Sequence, residues 1–299
     1  YPDIQDKRFV SKFAVYHQRY STNTFPTWSL AQPFRVIAHN GEINTLKGNK
    51  NWMSAHEPRL NHPNFESTIE DLKPIIDSAA SDSAALDATI ELLVRSKRNL
   101  PMAKLLTIPE AFAHRRDFSK KLKDLYAYAN AVMESWDGPA AICGFHDEWA
   151  IAGMDRNGLR PLRYTLTKDF LIAGSETGMI ELDESKILER GRVGPGQMIA
   201  VNFNEGKFFS DKEIKNRLSQ SKPFGDWTKK ITHIDKLVQS VDEEFRDISS
   251  SDLRKRMNSF GWTTEDMELI LHPMISEQKE ATGSMGDDTP IAVLSDNYR

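Results

Sequence analysis

The sequence of 299 residues contains a single cysteine, Cys143. That excludes an internal disulfide and any zinc or iron–sulfur site drawing several thiolates from this chain. Eight histidines are present, but none forms an HExxH or comparable pair. His56 and His62 are irregularly placed, so surface or capping roles suit them better than a metal site, and none is expected. No apolar run approaches the roughly 20 residues that span a bilayer. Neither sign of charge dominates: 39 Lys and Arg face 43 Asp and Glu, a net charge of -4. This leaves no electrostatic footprint for nucleic acid or an anionic membrane, and small ligands fit better. Gly191-Arg-Val-Gly-Pro-Gly196 lacks the Lys of a P-loop and the spacing of a dinucleotide turn, and reads as a loop. The first residue is Tyr1 with no secretory pattern after it, so processing or truncation is expected to have removed what came before.

What is there is concentrated between His17 and Asn49, HQRYSTNTFPTWSLAQPFRVIAHNGEINTLKGN. Phe13–Tyr16 and Phe34–Ala38 are short and rich in β-branched or aromatic residues, which predicts two strands. Arg19 then lies just past one strand and Asn40-Gly41 just past the other. If the strands are neighbours, the two ends converge. Asn-Gly is the strongest short hairpin signal, and a plain turn is one reading. The other is that Gly41 turns its backbone N–H into a pocket beside the Asn40 amide, two donors of the kind an oxyanion hole needs. Arg19 facing that pocket would clamp a carboxylate in two parallel bonds. Together these point to acyl chemistry on an amino-acid-like substrate.

The rest of the chain divides by texture. Asn51–Arg59 is partly helical and stops at Pro58. Ser78–Arg95 is a strong helical pattern, with Leu86, Ile90, Leu93 and Val94 on one face and Ser81 or Asp82 as cap. Pro101–Phe112 and Ser119–Ser135 read as further helices laid over a sheet. From Asp137 come short apolar runs separated by turns, at 139–145, 149–154, 162–166, 170–175, 197–203 and 207–209, a meander of mostly antiparallel strands. Strands, helices, then more strands make an α+β fold of stacked sheets and helical layers. Met154-Asp-Arg-Asn-Gly-Leu-Arg-Pro161 is polar enough for a functional turn, though a tight hairpin is the reading its pattern favours. Past Ser210 the chain becomes charged and helical. At about 150 residues per domain the length allows two, and the expected division is 1–218, a linker over 219–234, and a second domain over 235–299.

Arg19-Tyr-Ser-Thr22, Ala31-Gln-Pro-Phe34 and His39-Asn-Gly41 resemble the class II glutamine amidotransferase domain, an N-terminal-nucleophile hydrolase. The longer wording His39–Asn49, with Phe260–Asp266 and Gly283–Ser295, resembles the large subunits of glutamate synthases and the start of their central domain. The resemblance implies an αββα four-layer sandwich, here incomplete. It implies that Arg19 binds the glutamine α-carboxylate, that Asp82 receives the α-amino group rather than merely capping a helix, and that Asn40 and Gly41 form the oxyanion hole. Thr22–Gln32 would be a loop closing over glutamine, with Thr22 in contact. It also implies a parent enzyme that hydrolyses glutamine and passes ammonia to 2-oxoglutarate for reductive amination. That parent would use FMN and an iron–sulfur cluster outside this segment, and an electron-donating subunit or ferredoxin as partner. A cytoplasmic location is expected, or a plastid in a plant or alga. The family attacks with a cysteine at the mature N-terminus. Tyr1 cannot serve, and Cys143, in an apolar strand, reads as a small buried hydrophobe. The segment alone is therefore expected to be inactive. The alternative is a catalytically dead module that binds glutamine or a partner.

Overall fold

The structure, a computed structural model, describes residues 2–18, 20, 24–232, 234–238 and 248–281. They fall into two compact units, Tyr1–Thr232 and His233–Arg299.

The first unit is α+β. Its strands are β1 (Ile37–Gly41), β2 (Ala140–His146), β3 (Trp149–Met154), β4 (Arg163–Thr167), β5 (Leu171–Gly174), β6 (Ile187–Arg192), β7 (Met198–Asn202) and β8 (Lys207–Phe209). One antiparallel sheet runs β1-β2-β3-β7-β8 and a second runs β5-β4-β6. Successive side chains of a strand point to opposite faces, and β3 uses both. Trp149 and Ile151 enter a core shared with the helices, while Ala152 and Met154 enter a second core with Leu162, Val193 and Ile199. In β7, Met198 and Ala200 join the first core and Ile199 the second. The order is thus helices, larger sheet, smaller sheet.

The helices are α1 (Leu46–His56), α2 (Asp82–Arg95), α3 (Leu100–Thr107), α4 (Lys120–Val132), α5 (Asp211–Ser219) and α6 (Phe224–Thr228). Side-chain oxygens of Ser81, Asn99 and Ser119 accept amides at the starts of α2, α3 and α4, each worth about 1 kcal/mol relative to alanine. Every residue of α3 is buried, which makes it the central helix rather than a half-solvated one. His62 caps a short 3-10 turn through Nδ1 and His56 bonds Glu134.

Several expectations change. Residues 13–16 join no sheet; the Phe13 ring instead stacks on Phe145, with centroids 3.6 Å apart. The strand expected at 34–38 begins at Ile37 and runs to Gly41. The amides of Arg35 and Val36 are taken by the Asp87 carboxylate rather than by a ladder partner. Asn40-Gly41 consequently lies inside the strand end, paired with Ala141 and Ala140, and is no hairpin turn. The third change is at 155–161. Because β3 and β4 belong to different sheets, this turn carries the chain from one to the other rather than closing a hairpin. The expected helix over 101–112 ends at Thr107, and Gly191–Arg192 closes β6, a strand the pattern did not reveal.

Within 219–234, Phe224 is buried and packs with Tyr128 and Trp227, so the first unit continues to Thr232. The second unit contains α7 (Ser250–Ser259), capped by Ser249. Gly261 takes φ 72° and Trp262 N–H returns to Met257 O at 2.9 Å, the left-handed termination that glycine favours. A capping box between Thr263 and Asp266 opens the next helical stretch, which passes through a π turn at Met267–Leu271 into His272–Glu277. Among the described residues no helix is long and apolar enough to cross a membrane.

Candidate active site

The site is built where the start of α2 meets the end of β1. Buried Asp87, one turn into α2, accepts the amides of Arg35, Val36 and Ile37 and so ties the entry of β1 to the helix. Burial pushes its carboxyl above the usual range, against the pull of those amides. On the loop side, Gln32 makes a peptide-like pair with His39: the His39 amide donates to Oε1 at 2.6 Å and Nε2 donates to the His39 carbonyl at 3.0 Å. β1 is thus held on one edge by β2 and at one point of the other by a side-chain amide.

Ser81 caps α2 through Oγ, so Asp82 is released from the capping role. Its Oδ2 accepts the Ile43 amide at 2.8 Å, just past β1. A carboxylate in the first turn is also favoured by the helix dipole. Next to it, Ser83 Oγ hydrogen-bonds buried His39 Nδ1 at 2.7 Å. Burial holds the His39 imidazole below its ordinary pKa, opposed by the Asp82 charge. At Gly41, φ is 153° and a Cβ would sit 1.8 Å from the Pro139 carbonyl oxygen. Only glycine fits that approach. Asn40 accepts a hydrogen bond on Oδ1 from Arg160 Nη2 at 2.9 Å.

These residues share a cavity of about 1150 Å³, lined by Asn40, Gly41, Asp82, Ser83, Gln32 and Arg160, by Tyr16, His17, Tyr20 and Thr24, and by Leu162, Leu171 and Ala173 of the smaller-sheet side. It offers an acidic group, amide donors and an apolar wall, the mix of a small-molecule site. Asn40, Gly41 and Asp82, 42 positions apart at their extremes by number, are brought together. Arg19 and Thr22 lie outside the described residues. Phe25 and Trp28, in the stretch expected to cover a ligand, are exposed. Cys143 also faces the cavity, and burial pushes its thiol up to about 11, which leaves it protonated and weakly nucleophilic at neutral pH.

The sequence by itself points to no role for Ser83, Asp87 or Arg160, and for Gln32 only to the end of a covering loop. Gln32 and Arg160 do sit in motifs that stand out in the sequence, but their partners are not sequence neighbours. Among the described residues no group of three or more His, Cys, Asp or Glu could hold a metal. One cysteine cannot supply an iron–sulfur cluster, so the residues present do not fit that cofactor.

Residues 1–227 match the family profile described as glutamine amidotransferases class-II, and residues 255–299 match that of the glutamate synthase central domain. The chain is 55% identical over 302 residues to the large chain of the NADPH glutamate synthase of Azospirillum brasilense, covering 100% of this chain and 20% of that one. It is 43% identical to ferredoxin-dependent glutamate synthase 2 of Synechocystis sp. over 304 residues, 100% of this chain and 19% of the relative. The corresponding figures for the NADPH glutamate synthase large chain of Bacillus subtilis are 42% identity, 99% and 19%. The chain spans about a fifth of the length of these curated relatives. Among solved structures, the glutamine phosphoribosylpyrophosphate amidotransferase of B. subtilis aligns with TM-score 0.35 at 20% identity, over 65% of this chain and 34% of that one.

Proposed function

The chain belongs to the class II glutamine amidotransferase family, and on that premise we propose that it is the glutamine-hydrolysing part of a glutamate synthase. The central-domain match after residue 255 and the identity to glutamate synthase large chains along the whole chain support the finer assignment. The amidotransferase domain is assigned to the unit ending at Thr232, and the start of the central domain to the residues after it.

The observation that carries the reading is the meeting of Asn40, Gly41 and Asp82 on one cavity. Glutamine places its α-amino group on the Asp82 carboxylate and its α-carboxylate on Arg19, with Thr22 on the covering loop. Its side-chain carbonyl then lies toward the Asn40 amide and the Gly41 N–H. As a nucleophile adds to that carbonyl, charge develops on the oxygen, and donors already fixed in place stabilise it without reorganising. The attacking cysteine of the family stands at a mature N-terminus, whereas Cys143 lies inside β2, where burial pushes its thiol up. Ammonia released here serves the amination of 2-oxoglutarate elsewhere in the parent. The FMN and iron–sulfur cofactors and the contact with ferredoxin or an electron-donating subunit belong to that other part, and the enzyme is placed in the cytoplasm or a plastid.

The test is the parent-length enzyme carrying Asn40→Ala or Asp82→Asn, assayed with glutamine and with ammonia. Asn40→Ala should lower glutamine turnover by about 10²-fold, as loss of one oxyanion donor does. Asp82→Asn should act mainly on the glutamine KM. Ammonia-dependent glutamate formation should survive both. Unchanged glutamine kinetics in both variants would remove the assignment.

A further inference from the structure

We propose that Arg160 is the positioning residue of the oxyanion donor: it captures the Asn40 side-chain oxygen and so fixes the Asn40 N–H₂ group toward the cavity. The inference rests on the glutaminase reading above.

An asparagine amide presents an acceptor on one side and donors on the other, and nothing in its shape says which faces the substrate. Here the neighbour decides. A guanidinium has five N–H donors and no acceptor. Arg160 Nη2 stands 2.9 Å from the Asn40 side chain, so only Oδ1 can face it. Nδ2 therefore points the other way. The same contact draws electron density toward the amide oxygen and strengthens Nδ2–H as a donor, since linked hydrogen bonds polarise one another.

Arg160 is itself held by the turn between the sheets. Asp155, only 2% exposed, accepts the amides of Asn157, Gly158 and Leu159 from that turn and the amide of Ala140 from β2, the neighbour of β1. Gly158 takes φ 68°, and a Cβ there would meet Pro195 at 2.7 Å. The turn is thus fastened to the sheet that carries Asn40. Arg160 has no ion-pair partner among the described residues, and its Nε is buried without a hydrogen bond. A guanidinium in a cavity wall lowers the cost of negative charge developing nearby.

The experiment is a double-mutant cycle in the parent-length enzyme: wild type, Arg160→Met, Asn40→Ala and the pair, with Arg160→Lys as the conservative variant. The readouts are kcat and KM for glutamine hydrolysis, and ammonia-dependent glutamate formation as the measure of an intact fold. Arg160→Met should lower kcat by about 10- to 100-fold with glutamine KM within about threefold, the pattern of a lost transition-state interaction. Arg160→Lys should recover part of that loss. In the Asn40→Ala background, Arg160→Met should cost less than about twofold more, because the group it positions is gone. Losses that multiply, a change confined to KM, or ammonia activity falling in step with glutamine activity would each overturn the inference while leaving the glutaminase reading in place. A wild-type parent that fails to hydrolyse glutamine would sink both.

Discussion

The Asp87 carboxylate receives the Ile37 amide at 2.9 Å across 50 residues of sequence, and the same oxygen receives Val36 at 3.0 Å. One acidic side chain inside a helix thus sets where the first strand begins. Asp87→Ala would leave both buried amides without acceptors, at about 1–3 kcal/mol each. Urea unfolding of this chain should show a loss of at least about 2 kcal/mol, and Asp87→Asn, which keeps one oxygen, a smaller loss. An unchanged midpoint for Asp87→Ala would show that the strand is anchored by its ladder with β2 alone.

Gly41→Ala places a methyl 1.8 Å from the Pro139 carbonyl oxygen at a φ of 153°. The end of β1 must then separate from β2. Thermal unfolding should move down and glutamine turnover in the parent should fall with it. A variant with wild-type turnover would mean that the strand end does not shape the site.

Lys104 is wholly buried under β3, where a Cβ on Gly153 would already touch its Cε at 3.0 Å, and its Nζ reaches the Ile108 carbonyl at 3.4 Å. Burial first, and then the Lys215 charge, pushes its pKa down to about 7, while Asp211, Glu110 and Asp155 pull it up. The unfolded chain keeps that proton to about 10.4. Between the two values the unfolded state binds more protons, so stability rises with pH across that window and the burden of a buried cation is full below it. Lys104→Met should remove the slope and be the more stable form at pH 6. Parallel stability curves for the two proteins would refute this.

Cys143 lies in β2 with its thiol raised to about 11 by burial. Cys143→Ala should leave glutamine hydrolysis by the parent within about twofold and cost about 1 kcal/mol of stability, the scale of a small core truncation. Slow alkylation of the native chain at pH 8 would accord with this. Abolished hydrolysis would restore Cys143 as a candidate nucleophile.

How far the sequence carried differs between fold and site. Of the eight strands among the described residues, seven are within reach of the pattern because Val, Ile and aromatic runs are bounded by turns such as Asn204-Glu-Gly206. β6 escaped because Glu189, Arg190 and Arg192 make it charged and exposed, with no apolar face to mark it. β1 was recognised but shifted, since the competitor for its first amides, Asp87, is distant in sequence. Phe13–Tyr16 has strand composition but no ladder partner, and Phe13 satisfies itself by stacking on Phe145. Asn40, Gly41 and Asp82 stand in motifs the sequence displays, and the fold sets them on one cavity, their roles there being the proposal made above. The bond from Arg160 to Asn40 joins residues 120 apart, and such a contact exists only once two sheets are stacked.

The two hydrogen bonds between Gln32 and the His39 backbone give β1 a neighbour that is a side chain rather than a strand. Gln32 ends the stretch expected to cover the ligand, and His39 immediately precedes Asn40. Gln32 and the end of β1 are therefore mechanically joined. Displacement of the chain at Gln32 either breaks both bonds together or draws the strand along, so the backbone before β1 and the position of Asn40 share one point of articulation.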